Sequence, residues 1–125
     1  MANVFKAICD KNGWELRGEE AVLSLPGGRQ QSVFMETSHE DGEDILRIYS
    51  VIGDAGLLDE NRMRSALGLN YRLRHGALAI RDQQMVLTDT FLTREADHDE
   101  VRLSIEYLAK TADQHEKHIY GTDLN

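Results

Sequence analysis

The 125-residue sequence is poor in the residues that brace very small or extracellular proteins. It has one cysteine, one proline and only 6% aromatic residues. A lone cysteine, Cys9, cannot form an internal disulfide, so the sequence favours a reducing compartment. A chain of this length can bury a sufficient core without a disulfide or a metal. We therefore expect one domain over residues 1–120, followed by a loose tail at 121–125.

Long apolar runs are also missing. No stretch approaches the roughly 20 apolar residues that a membrane-spanning helix needs. The first residues, 1–6, contain no apolar run of the length found in signal peptides. We therefore predict a cytoplasmic protein without a membrane partner.

Positive charge is in deficit, because 14 lysines and arginines face 22 acidic residues and leave a formal net charge of −8. Generic nucleic-acid binders and binders of anionic membranes are usually basic. We therefore expect no nucleic-acid partner. The hydrophobic share of 41% and the charged share of 29% are those of a globular domain rather than a disordered chain.

Sequence motifs for catalysis and metal binding fail on inspection. The serines lack a Gly-x-Ser-x-Gly elbow, and the Pro-Gly-Gly-Arg segment at 26–29 lacks the ending of a phosphate loop. His115 and His118 have a spacing that can present two metal ligands on one helix face, but a zinc site needs three or four. Cys9 beside Phe5 reads as a buried, inert thiol. We predict no catalytic residue, no metal and no cofactor, and so no enzyme.

The first half of the chain alternates short apolar segments with glycine-containing turns. We predict a helix at 3–12 that stops at Gly13, then strands at 14–16, 21–25, 30–37 and 45–52, with a charged turn at 39–44. The last of these strands is apolar on both faces, with Leu46, Ile48 and Ile52 on one side and Ile45, Tyr49 and Val51 on the other. Such a strand is central in its sheet or covered on its second face.

The second half predicts a helix, a hairpin and a longer helix. Asp59 is a plausible cap for the helix at 59–70, whose stripe holds Met63, Ala66 and Leu67. The hairpin joins strands 76–81, with Leu78 and Ile80 inward, and 85–91. The last helix has Asp97 and Glu100 at capping-box spacing and a regular stripe of Val101, Ile105, Leu108, Ala112 and Ile119. The order α-β-β-β(-β)-α-β-β-α predicts an α+β fold with helices packed on an antiparallel sheet.

Packing of a hydrophobic core does not account for two features of the sequence. Residues 62–81 contain five arginines and no acidic residue, namely Arg62, Arg64, Arg72, Arg74 and Arg81. Arginine favours bidentate pairing, either with the chain's own carboxylates or with an acidic partner or an anionic ligand. Leu103 and Tyr107 lie nearly opposite the buried stripe of the last helix, as isolated surface residues or as a second contact surface.

The sequence of residues 57–120 resembles that of known proteins. The segments Leu-Asp-Glu-Asn at 58–61, Leu-Asn-Tyr-Arg-Leu at 69–73, Gly-Ala-Leu-Ala-Ile at 76–80 and Met-Val-Leu at 85–87 resemble YbjN-like proteins and type III secretion (Tir-type) chaperones. The resemblance implies an α-β-β-β-α-β-β-α domain that often dimerises. Secretion chaperones of this type are not enzymes and hold an extended segment of another protein. The YbjN-like branch looks connected with stress or regulation, and no ligand set carries over residue by residue.

Two function hypotheses follow. The first is a non-enzymatic, homodimeric, chaperone-like or regulatory domain that holds a partner polypeptide on apolar sheet and helix surfaces, with an open sheet edge able to accept an added strand. Its candidate residues are Arg62, Arg64, Arg72, Arg74, Tyr49, Val51, Leu103 and Tyr107. The alternative is an anion- or small-molecule-responsive regulator that uses Arg62, Arg64, Arg72 and Arg74.

Overall fold

The fold is known from a computed structural model that describes residues 2–121, with side chains described from 3 to 120. In that range the helices are α1 (Ala2–Asn12), α2 (Glu60–Asn70) and α3 (His98–Glu116). The strands are β1 (Glu15–Arg17), β2 (Glu20–Leu25), β3 (Arg29–Glu40), β4 (Glu43–Asp54), β5 (Ala77–Arg81) and β6 (Gln84–Leu92). Short 3-10 turns follow β4 and β6, and a π-helical turn at Lys117–Gly121 continues α3. The predicted α+β class and element order are confirmed. The predicted loose tail lies almost entirely outside the described residues.

The six strands form one antiparallel sheet in the order β1-β2-β3-β4-β6-β5. Neighbours in sequence pair from β1 to β4, and β6 then inserts between β4 and β5. The strand apolar on both faces, β4, therefore lies inside the sheet, as its pattern predicts. The short strands β1 and β5 form the two edges of the sheet.

The hairpin between β3 and β4 is longer than the sequence predicts. The strands continue to Glu40 and from Glu43, so only Asp41 and Gly42 form the turn, rather than the whole segment 39–44. Both turn residues have positive φ, 52° and 78°, as hairpin turns of this length require. The strand ends are exposed and polar, so no hydrophobic alternation marks them.

One face of the sheet carries the core. Leu46, Ile48 and Ile52 of β4 are buried there, and the predicted stripe of α3 is buried against them, together with α1. Both helix caps before α2 and α3 are confirmed, because Asp59 accepts the N–H of Arg62 at 2.8 Å and Asp97 caps α3. The capping box is wrong in detail, since the Asp97 carboxylate accepts the N–H of Asp99 rather than that of Glu100.

The packing of α2 is looser than its stripe predicts. Among its residues only Ala66 is buried, and Leu67, expected on the same buried stripe, is 61% exposed. The helix lies near the edge strand β5, so the sheet beneath it ends after one strand. Ile80 of β5 shows the same effect. It is about half exposed where the sequence predicts an inward position, because β5 is an edge strand and no further strand of the described residues pairs with it.

Candidate functional site

Apolar residues of α2 and of the turn before it form a partly exposed surface. We call it the α2 surface and define it by Leu57, Leu58, Met63, Leu67 and Tyr71. Leu57 is 70% exposed and Tyr71 is 94% exposed. Leu67 and Tyr71 are four residues apart and so share one side of the helix. A shallow groove of about 520 Å³ beside them is lined by Leu58, Met63 and Leu67, with Asp59, Glu60 and Arg64 at its rim. Exposed apolar patches of this kind mark interaction sites more often than isolated leucines do.

The predicted second apolar face of β4 turns away from α1 and α3, but it is largely closed. The ring of Tyr49 stacks on Phe34 at 5.1 Å between centroids, and the guanidinium of Arg81 lies 4.5 Å from its centre. Glu36 holds that guanidinium at 2.9 Å. Only 8% of Tyr49 is exposed, and this burial raises the pKa of its hydroxyl. Val51 is half-buried. This face therefore offers a partner less apolar surface than its sequence suggests.

The two edges of the sheet differ. At β5, the side-chain amide of Asn70 accepts the backbone N–H of Leu78 and donates to its carbonyl oxygen at 3.3 Å. The Asn70 side chain therefore occupies backbone groups that an added strand would need. At the other edge, β1 pairs with β2 alone among the described residues. Beside β1 lies a groove of about 460 Å³ lined by Trp14, Val22 and Ser24, together with neighbouring residues. Among the described residues, the β1 edge is therefore the better candidate for strand addition.

The structure separates the four arginines that the sequence groups together. Arg62 donates to the carbonyl oxygen of Ile119 at 3.1 Å, and Arg64 pairs with Glu60 at 3.3 Å on the surface of α2. Arg72 and Arg74 lie beyond the end of α2 and line a different cavity from Arg62. They do not form one cluster.

Leu103 and Tyr107 also differ in environment. Leu103 is 49% exposed, whereas Tyr107 is half-buried and packs against the core cluster. The hydroxyl of Tyr107 accepts the backbone N–H of Arg74 at 3.1 Å. The His75 and Tyr107 rings pack edge to face, with 5.2 Å between their centroids. The two residues therefore do not form the shared open surface that their helical spacing suggests, because the loop before β5 covers Tyr107.

A second cavity, of about 470 Å³, lies between α2 and the end of α3. It is lined by Arg62, Ser65, Leu69, His115, His118 and Ile119. Both ring nitrogens of His115 are buried without a hydrogen-bond partner among the described residues. This burial lowers the pKa of His115, and the neighbouring His118 lowers it further. In the part of the chain that the structure describes, no three histidine, cysteine or carboxylate side chains come together as metal ligands.

A further observation concerns the single cysteine of the chain. Cys9 is a fully buried residue of α1, and burial, with a smaller contribution from Asp10, raises the pKa of its thiol to about 11. The prediction of a buried thiol is confirmed.

Within residues 2–121, no helix combines the length and the apolar character needed to cross a bilayer.

Solved structures of chaperone complexes share the fold of this chain. One similar structure is the Yersinia pestis type III secretion chaperone SycH in complex with a stable fragment of YscM2, with a TM-score of 0.51, 10% identity, and 88% of this chain and 94% of that chain covered. The HopA1–SchA chaperone–effector complex gives a TM-score of 0.59 at 3% identity, over 93% of this chain and 92% of the other. The ExsC–ExsE complex gives 0.61 at 11% identity, over 94% and 91%.

These similarities extend over nearly the whole chain, but the identities are so low that they establish the fold alone. No protein-family model matches the chain, and a search of curated proteins gives no significant match.

Proposed function

We propose that this chain is a non-enzymatic, chaperone-like protein-binding domain that forms a homodimer through the α2 surface and holds an extended segment of a partner polypeptide at the β1 edge. The observation that carries the proposal is the α2 surface, where Leu67 and Tyr71 stand exposed on a helix with a single buried residue. The similar structures support it, because each was solved as a complex with another protein.

A second copy suits the α2 surface for a reason of charge. Its rim carries both signs, with Asp59 and Glu60 beside Arg64. A two-fold contact places the same patch on both copies, so a patch with both signs can be complementary to itself. In such a contact, Arg64 of one copy would face the acidic rim of the other. The apolar residues between them would then lose their contact with water.

The β1 edge suits an extended partner. Main-chain hydrogen bonds to an open edge give affinity, and nearby grooves for alternate side chains give specificity. The groove lined by Trp14, Val22 and Ser24 provides such a place beside β1. The opposite edge is less suitable because Asn70 occupies the backbone of Leu78.

The dimer is tested by light scattering on a size-exclusion column. The wild-type protein should elute with twice the chain mass of 14.2 kDa. The Leu67→Glu/Tyr71→Glu variant should dissociate at least about 30-fold more readily, since buried interface anchors contribute roughly 2 kcal/mol or more. Leu103→Glu/Ile80→Glu places the same charges at other exposed apolar positions and should remain dimeric. A monomeric wild type, or equal behaviour of the two variants, would refute the α2 dimer.

The partner site is tested by crosslinking and capture from a native lysate. Ser24 is exposed in the groove beside β1, so Ser24→Trp should fill it and reduce the recovered partner. Ser38→Trp makes the same change at an exposed position of β3 and should leave recovery unchanged. Failure to recover any partner with the wild type, or equal recovery with both variants, would count against the β1 edge.

The resemblance of residues 57–120 spans a secretion branch and a YbjN-like regulatory branch. The position of the gene discriminates between them. A gene beside a secretion apparatus or a large effector favours the secretion branch, and an isolated gene favours a regulatory role.

A further inference from the structure

Two arginines of this acidic protein have no carboxylate partner among residues 2–121. Of the arginines in residues 2–121, most bond to nearby carboxylates, namely Arg17, Arg29, Arg47, Arg64, Arg81, Arg94 and Arg102. Arg62 donates to a carbonyl oxygen. Arg72 and Arg74 form no ion pair with any described residue, although the chain has 22 acidic residues and 14 basic ones. A shortage of carboxylates therefore does not explain why these two arginines are unpaired.

The same two arginines line one cavity. It has a volume of about 490 Å³ and lies between the end of α2, the loop before β5 and one side of α3. We call it the basic cavity and define it by its lining residues, Leu69, Arg72, Leu73, Arg74, Tyr107, Lys110, Thr111, Gln114 and His115. Lys110 adds a third cation, which also forms no ion pair with the described residues. None of the lining residues is acidic.

The loop that carries the arginines is held in place. The backbone N–H of Arg74 donates to the Tyr107 hydroxyl at 3.1 Å, and the Arg74 guanidinium lies 5.5 Å from the centre of that ring. Before the loop, the N–H of Arg72 donates to the carbonyl of Leu69 at 3.0 Å. After it, Gly76 approaches the backbone of Thr88 so closely that a Cβ atom would overlap the Thr88 carbonyl oxygen. The two arginines are therefore attached to a backbone fixed at both ends.

The chemistry of the lining favours a compact, multiply charged anion. Guanidinium groups bind phosphate oxygens in a bidentate manner, and an ammonium group adds a point charge. Thr111 and Gln114 can donate further hydrogen bonds. Three like charges around one cavity repel each other, and an anion with two or more charges would relieve that repulsion. The volume falls within the range of small-molecule sites, which favours a small ligand over a polypeptide segment.

We propose that the basic cavity is a binding site for a small phosphorylated ligand with at least two negative charges. Arg72 and Arg74 hold the phosphate oxygens, and Lys110 balances the remaining charge from α3. Arg62 and Arg64 are not part of this site. The α2 surface and the β1 edge lie outside it, so this inference is independent of the proposed dimer and of the proposed partner.

The experiment uses the full chain with sodium pyrophosphate as the probe, followed by thermal unfolding and calorimetric titration. The wild-type midpoint should rise by about 4 °C or more at saturating pyrophosphate, because a ligand that binds only the native state stabilises it. Arg72→Gln/Arg74→Gln/Lys110→Gln should weaken binding by roughly 100-fold or more, since it removes all three cations that would bond to the anion. All three side chains are exposed, so the substitutions should leave the fold intact.

The control variant removes the same charge elsewhere. Lys11→Gln/Arg17→Gln/Arg94→Gln changes three exposed cations outside the basic cavity and should bind pyrophosphate like the wild type. Equal weakening in both variants would show a general charge effect and would overturn the site. No thermal shift and no heat with pyrophosphate would also overturn it. Binding of a penta-glutamate peptide without binding of pyrophosphate would show that the site takes an acidic polypeptide segment. That result would also refute the proposal.

Discussion

Asn70 lies at the end of α2, with its amide against both backbone groups of Leu78 in β5. Asn70→Ala removes the side-chain amide, so the partly buried backbone N–H and carbonyl of Leu78 lose their hydrogen-bond partners. We expect a loss of about 1–3 kcal/mol in the free energy of unfolding, which urea titration can measure. Asn61→Ala, an exposed asparagine of the same helix, should change it by no more than about 0.5 kcal/mol. Equal losses would mean that the Asn70 amide contributes nothing specific.

Gly76 combines a left-handed backbone with a close approach. Its φ is +71°, and a Cβ atom would overlap the carbonyl oxygen of Thr88. Gly28 has a φ of +74° with nothing near its missing Cβ, so it is a matched control for the backbone conformation alone. Gly28→Ala should cost about 1 kcal/mol, and Gly76→Ala should cost at least about 2 kcal/mol more. Chemical denaturation of both variants tests this difference, and equal losses would contradict it.

His115 makes stability depend on pH. Burial lowers the pKa of His115 in the folded protein, so the unfolded chain takes up a proton first, near its ordinary value of about 6.5. The unfolded state then binds more protons, and the free energy of unfolding falls as the pH drops below that value. His118 and Arg62 line the same cavity and add no negative charge to offset the proton.

The expected result is a smaller pH response in His115→Leu than in the wild type, measured by thermal unfolding between about pH 7.5 and about pH 5. Other titrating groups contribute equally to both proteins, so the difference isolates His115. His98→Leu, at an exposed position of α3, should follow the wild type. The idea fails if His115→Leu keeps the full loss of stability at low pH.

At the scale of elements, the reactivity of the Cys9 thiol reports how often α1 opens. Cys9 is fully buried, and its pKa of about 11 leaves very little thiolate at neutral pH. We expect a thiol reagent to label the native protein at least about 100-fold more slowly than the unfolded protein, because labelling requires α1 to open. Phe5→Ala removes a buried anchor of the same helix and should speed labelling. Lys6→Ala, an exposed neighbour, should not. Rapid native labelling would show that α1 is not held closed.

Periodicity predicts the helices and strands better than it predicts their surroundings. The stripe of α3 is buried as expected because α3 packs across several strands of the sheet, β2, β3, β4 and β6. The stripe of α2 has similar spacing, yet Leu67 is exposed because the sheet ends after β5. The position of an element within the sheet depends on strand order, and spacing along one helix does not contain that information. Tyr71 was missed for the same reason, although its spacing from Leu67 was visible in the sequence.

The candidate sites show the same limit at the scale of the whole molecule. The alternation along β4 correctly places Tyr49 and Val51 on the face away from the core, but Arg81 and Phe34 cover Tyr49 from other strands. The arginine-rich segment was visible in the sequence, whereas its division into Arg62 and Arg64 on one side and Arg72 and Arg74 on the other was not. Lys110 joins the basic cavity from α3, at a distance along the chain that no local pattern reports.

The proposed dimer makes a prediction for the molecule as a whole. If two copies fold as a unit, the thermal midpoint should rise with protein concentration by mass action. Leu67→Glu/Tyr71→Glu should unfold at a midpoint independent of concentration, while Leu103→Glu/Ile80→Glu should keep the dependence. Scanning calorimetry over about a 100-fold range of concentration tests this. A wild-type midpoint that does not change would exclude coupled folding and dimerisation.

The side chain of Asn70 has a consequence for how the molecule can grow. An antiparallel sheet with two open edges can add copies at both ends and extend into a filament. Here the Asn70 amide occupies both backbone groups of Leu78, which disfavours strand addition at the β5 edge relative to the β1 edge. In the proposed function, a partner strand added at β1 would complete the sheet at that edge, and growth by strand addition would stop there. One amide thus works against edge-to-edge polymerisation and leaves the β1 edge for the proposed partner.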